Sequence, residues 1–100
     1  MTRPSRIPAA ALLLLGVLLG APLAAQEACY ADYKASKRDP FELHYGVAEV
    51  RGECAPAEAE IELPPRLSPD GWQLLEVVST FGPSGLEERR DSAGDFFLRY

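Results

Sequence analysis

The chain has 100 residues, 15 acidic against 10 basic side chains, a net charge of −5 and two cysteines. That length supports one domain, and residues 26–100 alone are too few for an outer-membrane barrel of eight strands of about 9–11 residues plus turns, unless several chains assemble one. The acidic balance argues against nucleic acid and anionic membrane surfaces as partners.

Residues 1–25 read as an address. Arg3 and Arg6 give a positive start, and the run from Ile7 to Ala25 carries no charge and has a Leu-rich centre. Ala24-Ala25 then offers small residues before Gln26. This is the layout of a secretory signal peptide, so the expected division is a leader over 1–25 and a single small α+β domain over 26–100. The competing reading is a retained membrane anchor. A spanning helix needs about 20 mostly apolar residues, and Pro8 and Gly20-Ala21-Pro22 interrupt the ends of this run. Without the leader, eight basic side chains face fifteen acidic ones, a charge of −7. Such a charge favours a basic protein or a cationic ligand by long-range attraction, and solubility alone is the plainer account. The reading gives a periplasmic or secreted protein with no stable membrane insertion after cleavage.

Cys29 and Cys54 are the only cysteines, and both follow the leader. Export to an oxidising compartment predicts a disulfide between them. Closing a loop of about 25 residues is worth about 3.5 kcal/mol in the chain-entropy model, a large share for so short a domain. A metal-binding or reactive pair is the rival, but the spacing lacks Cys-x-x-Cys geometry.

In chain order, Glu27–Arg38 places Cys29 and Tyr33 four apart, with cations near its end, and predicts a short helix stopped by Asp39-Pro40. Phe41, Leu43, Tyr45 and Val47 alternate with Glu42, His44, Gly46 and Ala48, which predicts a half-buried strand. Over Ala55–Leu67 the apolar residues fit both periods. The Ala and Glu content favours a helix ended or kinked by Pro64-Pro65, although Ala57–Leu63 also alternates as a strand would. Ser68-Pro69-Asp70-Gly71 reads as a turn. Trp72–Phe81, apolar on both faces, reads as the central strand. Leu86–Arg90 reads as a polar edge strand, and Phe96–Tyr100 as a closing strand with Phe96, Leu98 and Tyr100 on one side. The expected fold class is α+β: a three- to four-stranded antiparallel or mixed sheet, one helix packed on a face, and a short N-terminal helix tied on by the disulfide.

Gly71-Trp72-Gln73-Leu74-Leu75, after a helix and before Val77-Val78 and a terminal Phe-Phe-Leu-Arg run, resembles small bacterial β-α-β-β domains of unknown function. In those domains Gly-Trp-(Glu/Gln)-Leu starts the strand that follows the helix. The resemblance spans Leu43–Tyr100 and implies a fold and no activity. The proline pair within the helix and the cysteine-bearing extension depart from it.

No catalytic, cofactor-binding or metal-binding residue is expected. His44 is the only histidine and lacks a second ligand or nucleophile at useful spacing, so exposure or a structural contact is its expected role. Ser84 does not meet the Gly-x-Ser-x-Gly spacing. Glu58, Glu60 and Glu62 read as a solvated acidic face, because helical residues two apart diverge. Phe96, Leu98 and Trp72 read as core. Leu75, Val77 and Phe97 are the candidate contact surface, an apolar strip on an uncovered sheet face. The leading expectation is a small exported non-enzymatic protein acting by protein–protein contact in the bacterial envelope. The alternatives are an inhibitor of a basic envelope or host enzyme, and an enzyme whose residues converge around His44.

Overall fold

A computed structural model describes residues 27–100; the expected leader lies outside the described residues. Strand β1 (Cys29–Lys37) pairs antiparallel with β2 (Glu42–Val50) on one side and with β3 (Gln73–Phe81) on the other. Helix α1 (Pro56–Leu67) connects β2 to β3, and helix α2 (Glu87–Ala93) follows β3. The sheet order is β2-β1-β3. The described residues are therefore α+β with a three-stranded antiparallel sheet, two α-helices and a Cys29–Cys54 disulfide.

Residues 29–37 form the central strand, where the spacing of Cys29 and Tyr33 predicts a helix. An interval of four is also twice the strand period. Cys29, Ala31, Tyr33 and Ala35 all face the buried side, with Tyr30, Lys34 and Ser36 more exposed opposite them. Alanine's small size and low β-propensity hide that alternation. Pairing on both edges and burial on both faces override the local preference. The β1–β2 hairpin turns through Arg38–Phe41, with a cis Asp39–Pro40 peptide.

β3 lies at the sheet edge rather than at its centre. Its pairing with β1 slips between Asp32 and Tyr33 and again between Lys34 and Ala35, so Val78 and Leu75 are extra residues opposite single partners. These two bulges keep Leu74, Val77 and Thr80, three apart, opposite Ala35, Tyr33 and Ala31 on one face. The apolar content on both faces is thus a product of bulging. Leu75 and Val78 are exposed.

α1 forms over nearly the expected span. Pro56 occupies its first turn, where a missing N–H costs nothing, and Ala59, Leu63 and Leu67 make its buried edge. Pro64 and Pro65 do not stop it. The carbonyls they leave unbonded belong to Glu60 and Ile61 on the exposed side, where water serves them. Against this helix the sheet presents Ala31, Ala35, Ala48 and Gly46, so the backbones can approach closely. Tyr33 lies across Gly46, its cross-strand partner; a methyl group at 46 would overlap the phenol ring.

Two further expectations change. Leu86–Arg90 is not a strand: Glu87–Ala93 is helical, with Glu87 and Glu88 in the first turn, Arg90 in the last, and a Glu87–Arg90 ion pair at 3.3 Å. The Phe96–Tyr100 segment is not a closing strand. It makes a single parallel bridge, Val47 to Phe97, on the outer edge of β2. Leu98, with φ at 59°, points to solvent rather than beside Phe96 and Tyr100.

Glu62 joins the end of β2 to α1. Its carboxylate accepts the amides of Arg51 and Gly52 at 2.8 and 2.7 Å and pairs with Arg66, which also donates to the Glu49 carbonyl. Glu58 stands one turn earlier on the same side, beside Gly52. Burial alone would raise the Glu62 pKa, but these donors hold it below its ordinary value.

The Cys29–Cys54 bond, with Cα atoms 5.7 Å apart, ties the start of the central strand to the lead into α1. Replacing both cysteines by alanine is expected to lower the free energy of unfolding by about 3 kcal/mol, measured by urea denaturation at neutral pH. A loss below about 1 kcal/mol would mean that the ladder and core alone hold β1 in place.

Candidate functional site

Two polar centres flank the middle of β1, one on each face. On the α1 side, His44 is 8% exposed, not facing away from the apolar set as its place in β2 predicts. The alternation of β2 is sound, but the core lies on the side of His44, Gly46, Ala48 and Val50. The Tyr33 hydroxyl and His44 Nε2 are 2.9 Å apart, and Phe96 stacks on the imidazole at 3.6 Å between centroids, tilted 7°. Trp72 meets the ring edge-on at 4.3 Å, and Tyr100 lies beside the stacked pair, 6.3 Å from His44 and 6.4 Å from Phe96. Nδ1 has no hydrogen-bond partner. Burial, with Arg99 and Lys37 nearby, pushes the His44 pKa down to about 4, and burial raises that of Tyr33. His44 is therefore neutral at neutral pH. Its bonded partner is a phenol whose proton burial retains, and no carboxylate hydrogen-bonds the ring. Tyr33 and His44 thus form a buried polar pair within the core.

On the opposite face, Asp32 is 4% exposed. One carboxylate oxygen accepts the Ser79 hydroxyl at 2.7 Å, and the other accepts the Tyr45 hydroxyl at 2.7 Å and Arg89 Nε at 3.0 Å. Burial alone would raise its pKa, yet Ser79, Tyr45 and Arg89 together hold it below the ordinary carboxylate value. Burial and the bond to Asp32 push Tyr45 up to about 12. Arg89 also donates to the Gly85 carbonyl at 2.7 Å and lies 3.9 Å over the Phe81 ring, so α2 is fixed to β1 and β3 by one guanidinium. Every acceptor of Asp32 is engaged by donors that also join separate elements, which makes the cluster a fastening.

α2 and this fastening close only half of the second face, as far as the Tyr45 hydroxyl. Lys34 and the row of Leu43 with Ser36 extend beyond it. There Leu43 is 62% exposed and Leu75 is 53% exposed, and with Lys34, His44 and Tyr45 they line a depression of about 380 Å³.

Of the expected contact strip, the structure places only Leu75 on this open surface. Val77 faces α1 and packs on the core. Phe97 is half-buried at the outer edge of β2, two strands from β3, beneath the Arg90 guanidinium at 4.5 Å. Leu43 and Tyr45 are the surface residues that the sequence reading assigns to a buried row. Glu42 and His44, which alternate with them, are equally compatible with either face. Among the described residues no group of three or more His, Cys, Asp or Glu is placed to hold a metal ion, and no helix is long and apolar enough to cross a membrane. No family model, curated protein or solved structure matches this chain.

Arg89→Ala leaves the buried Asp32 carboxylate with hydroxyl donors only. It is expected to destabilise the protein by about 2 kcal/mol at pH 7. Because the folded pKa of Asp32 is depressed, its contribution is present above the unfolded carboxylate pKa and is lost as pH falls through the folded value. The deficit of the variant, followed by urea denaturation, should therefore shrink below about pH 4. A deficit that is constant down to about pH 2 would assign the loss to packing on Phe81 instead.

Proposed function

We propose that the chain is a small exported, non-enzymatic protein that acts by contact with a cationic protein of the bacterial envelope, through the open half of the second sheet face. The observation that carries this reading is the pairing of Leu43 and Leu75, both more than half exposed, around a depression on rigid strands. Large side chains held at fixed positions on a sheet bind at low entropic cost, because the backbone is already ordered. Tyr45 adds an aromatic wall whose hydroxyl is engaged with Asp32, leaving its ring side for an apolar guest. Electrostatics select the partner: eight basic against fifteen acidic side chains after residue 25 attract a basic surface and repel acidic polymers. The disulfide and the charge and hydropathy pattern of residues 1–25 both support an oxidising compartment outside the cytoplasm.

A photo-crosslinking side chain at position 75 of the oxidised 26–100 chain, exposed to envelope extract, tests the reading. The expected outcome is one basic partner. Its yield should fall several-fold in Leu43→Asp and when salt rises from about 0.05 M to about 0.5 M, where screening shortens to a few ångströms. No adduct, an acidic partner, or an adduct indifferent to both changes would overturn it.

A further inference from the structure

Segment 94–100 and His44 form a second device on the other face. The neutral imidazole is held between the Tyr33 hydroxyl and the Phe96 ring, with Nδ1 unpartnered. Imidazolium would bring a full charge and a second N–H donor into this site. The charged and titratable groups around it come from every packed element. β1 supplies Tyr33 and Lys37, whose ammonium lies 4.4 Å over Trp72. β2 supplies Glu42, which lines the same surface as Trp72 and Phe96. α1 supplies Arg66, which donates to the Tyr100 carbonyl at 3.5 Å, and the turn after it supplies Asp70, which accepts the Tyr100 hydroxyl at 2.7 Å. The segment itself supplies Tyr100 and Arg99, whose guanidinium lies 5.5 Å over Phe96. Lys37 and Arg99 oppose a second positive charge. The Phe96 face attracts one by cation–π interaction, which burial and the two cations outweigh, as the depressed pKa of His44 reflects.

Of the segments that enclose His44, 94–100 lies outside the three-stranded ladder and, apart from Leu98, is tied through Tyr100, to Arg66 at 3.5 Å and to Asp70 at 2.7 Å. Tyr33 belongs to the central strand, and Trp72 is bonded through its amide to the Leu67 carbonyl at 3.2 Å. The segment leaves α2 through Gly94 at φ 54° and bends again at Leu98. Its one ladder contact is the Leu98 amide to the Val47 carbonyl at 2.8 Å. We propose that residues 94–100 are an acid-released strap latched on His44. A proton taken up by the imidazole expels Phe96 and Tyr100, frees the Val47 carbonyl on the edge of β2 and uncovers Trp72, while the disulfide-stapled sheet stays folded. The closed strap binds this proton more weakly than the open one, so closure is favoured above the ordinary His range and is lost as pH falls toward 4.

Amide exchange and His44 Cε1–H titration by NMR on the oxidised 26–100 chain test the proposal. The Leu98 protection factor should fall by up to tenfold for each pH unit between about 6 and 4, in step with the His44 titration. Protection at Tyr33 and Ala48 should persist, and Asp70→Asn should keep the transition. His44→Phe, which retains an aromatic stack, should abolish it. Leu98 protection unchanged to about pH 4, loss together with the sheet, or the same loss in His44→Phe would each overturn the proposal. If His44→Phe does not fold, the coincidence of the His44 and Leu98 midpoints in the natural sequence decides alone.

Discussion

Adjacent residues of the central strand, Asp32 and Tyr33, project to opposite faces of the sheet, and each carries a buried polar group that must find partners. The rest of the molecule is arranged around those two demands. Asp32 recruits Ser79 from β3, Tyr45 from β2 and Arg89 from α2. Tyr33 reaches over Gly46 to His44, and the imidazole in turn gathers Trp72, Phe96 and Tyr100. One strand therefore sets where α2 and the final segment sit. A buried polar group that loses a partner costs more than a typical hydrogen bond contributes, so these links specify the arrangement more sharply than apolar contact alone.

The apolar core beneath α1 is thin. Much of it is alanine, with Tyr33, Leu63, Leu67, Val50 and Trp72 as the large contributors. Small residues on the sheet let α1 sit close, but they bury little area each, which is why the disulfide and the Glu62 clamp matter in a domain of this size. The same economy leaves the second face half covered. α2 is seven residues long and spans the rows of Val47 and Asp32, while Leu43 and Leu75 remain beyond its reach. An open surface is thus a direct consequence of a short second helix.

Much of this was legible in the residues, and the failures have specific causes. The cysteine pair, the β2 alternation and the Ala-Glu helix followed from redox logic, period and propensity. The spacing of Cys29 and Tyr33 satisfies helical and extended periods alike, and Ala31 between them gives no apolar bulk to mark the central strand. The apolar residues of β3 suggest a central strand because two bulges fold a 74-77-80 series onto one face. The short helix over Glu87–Ala93 was signalled by its acidic start and basic end, a charge order that also suits an exposed edge strand. His44 could not be assigned to the core from sequence, since its burial depends on a phenol eleven residues earlier and on aromatics more than twenty-five residues later. Of the site, Leu75 was legible and Leu43 was not.

Hydrogen exchange over residues 31–35 tests the organising role of β1 most directly. These amides are expected to exchange only through global unfolding, as slowly as any in the protein, because the strand is paired on both edges and covered at its centre on both faces. Exchange of the same amides as fast as those of the Gly82–Gly85 turn, with the α1 amides still protected, would contradict it.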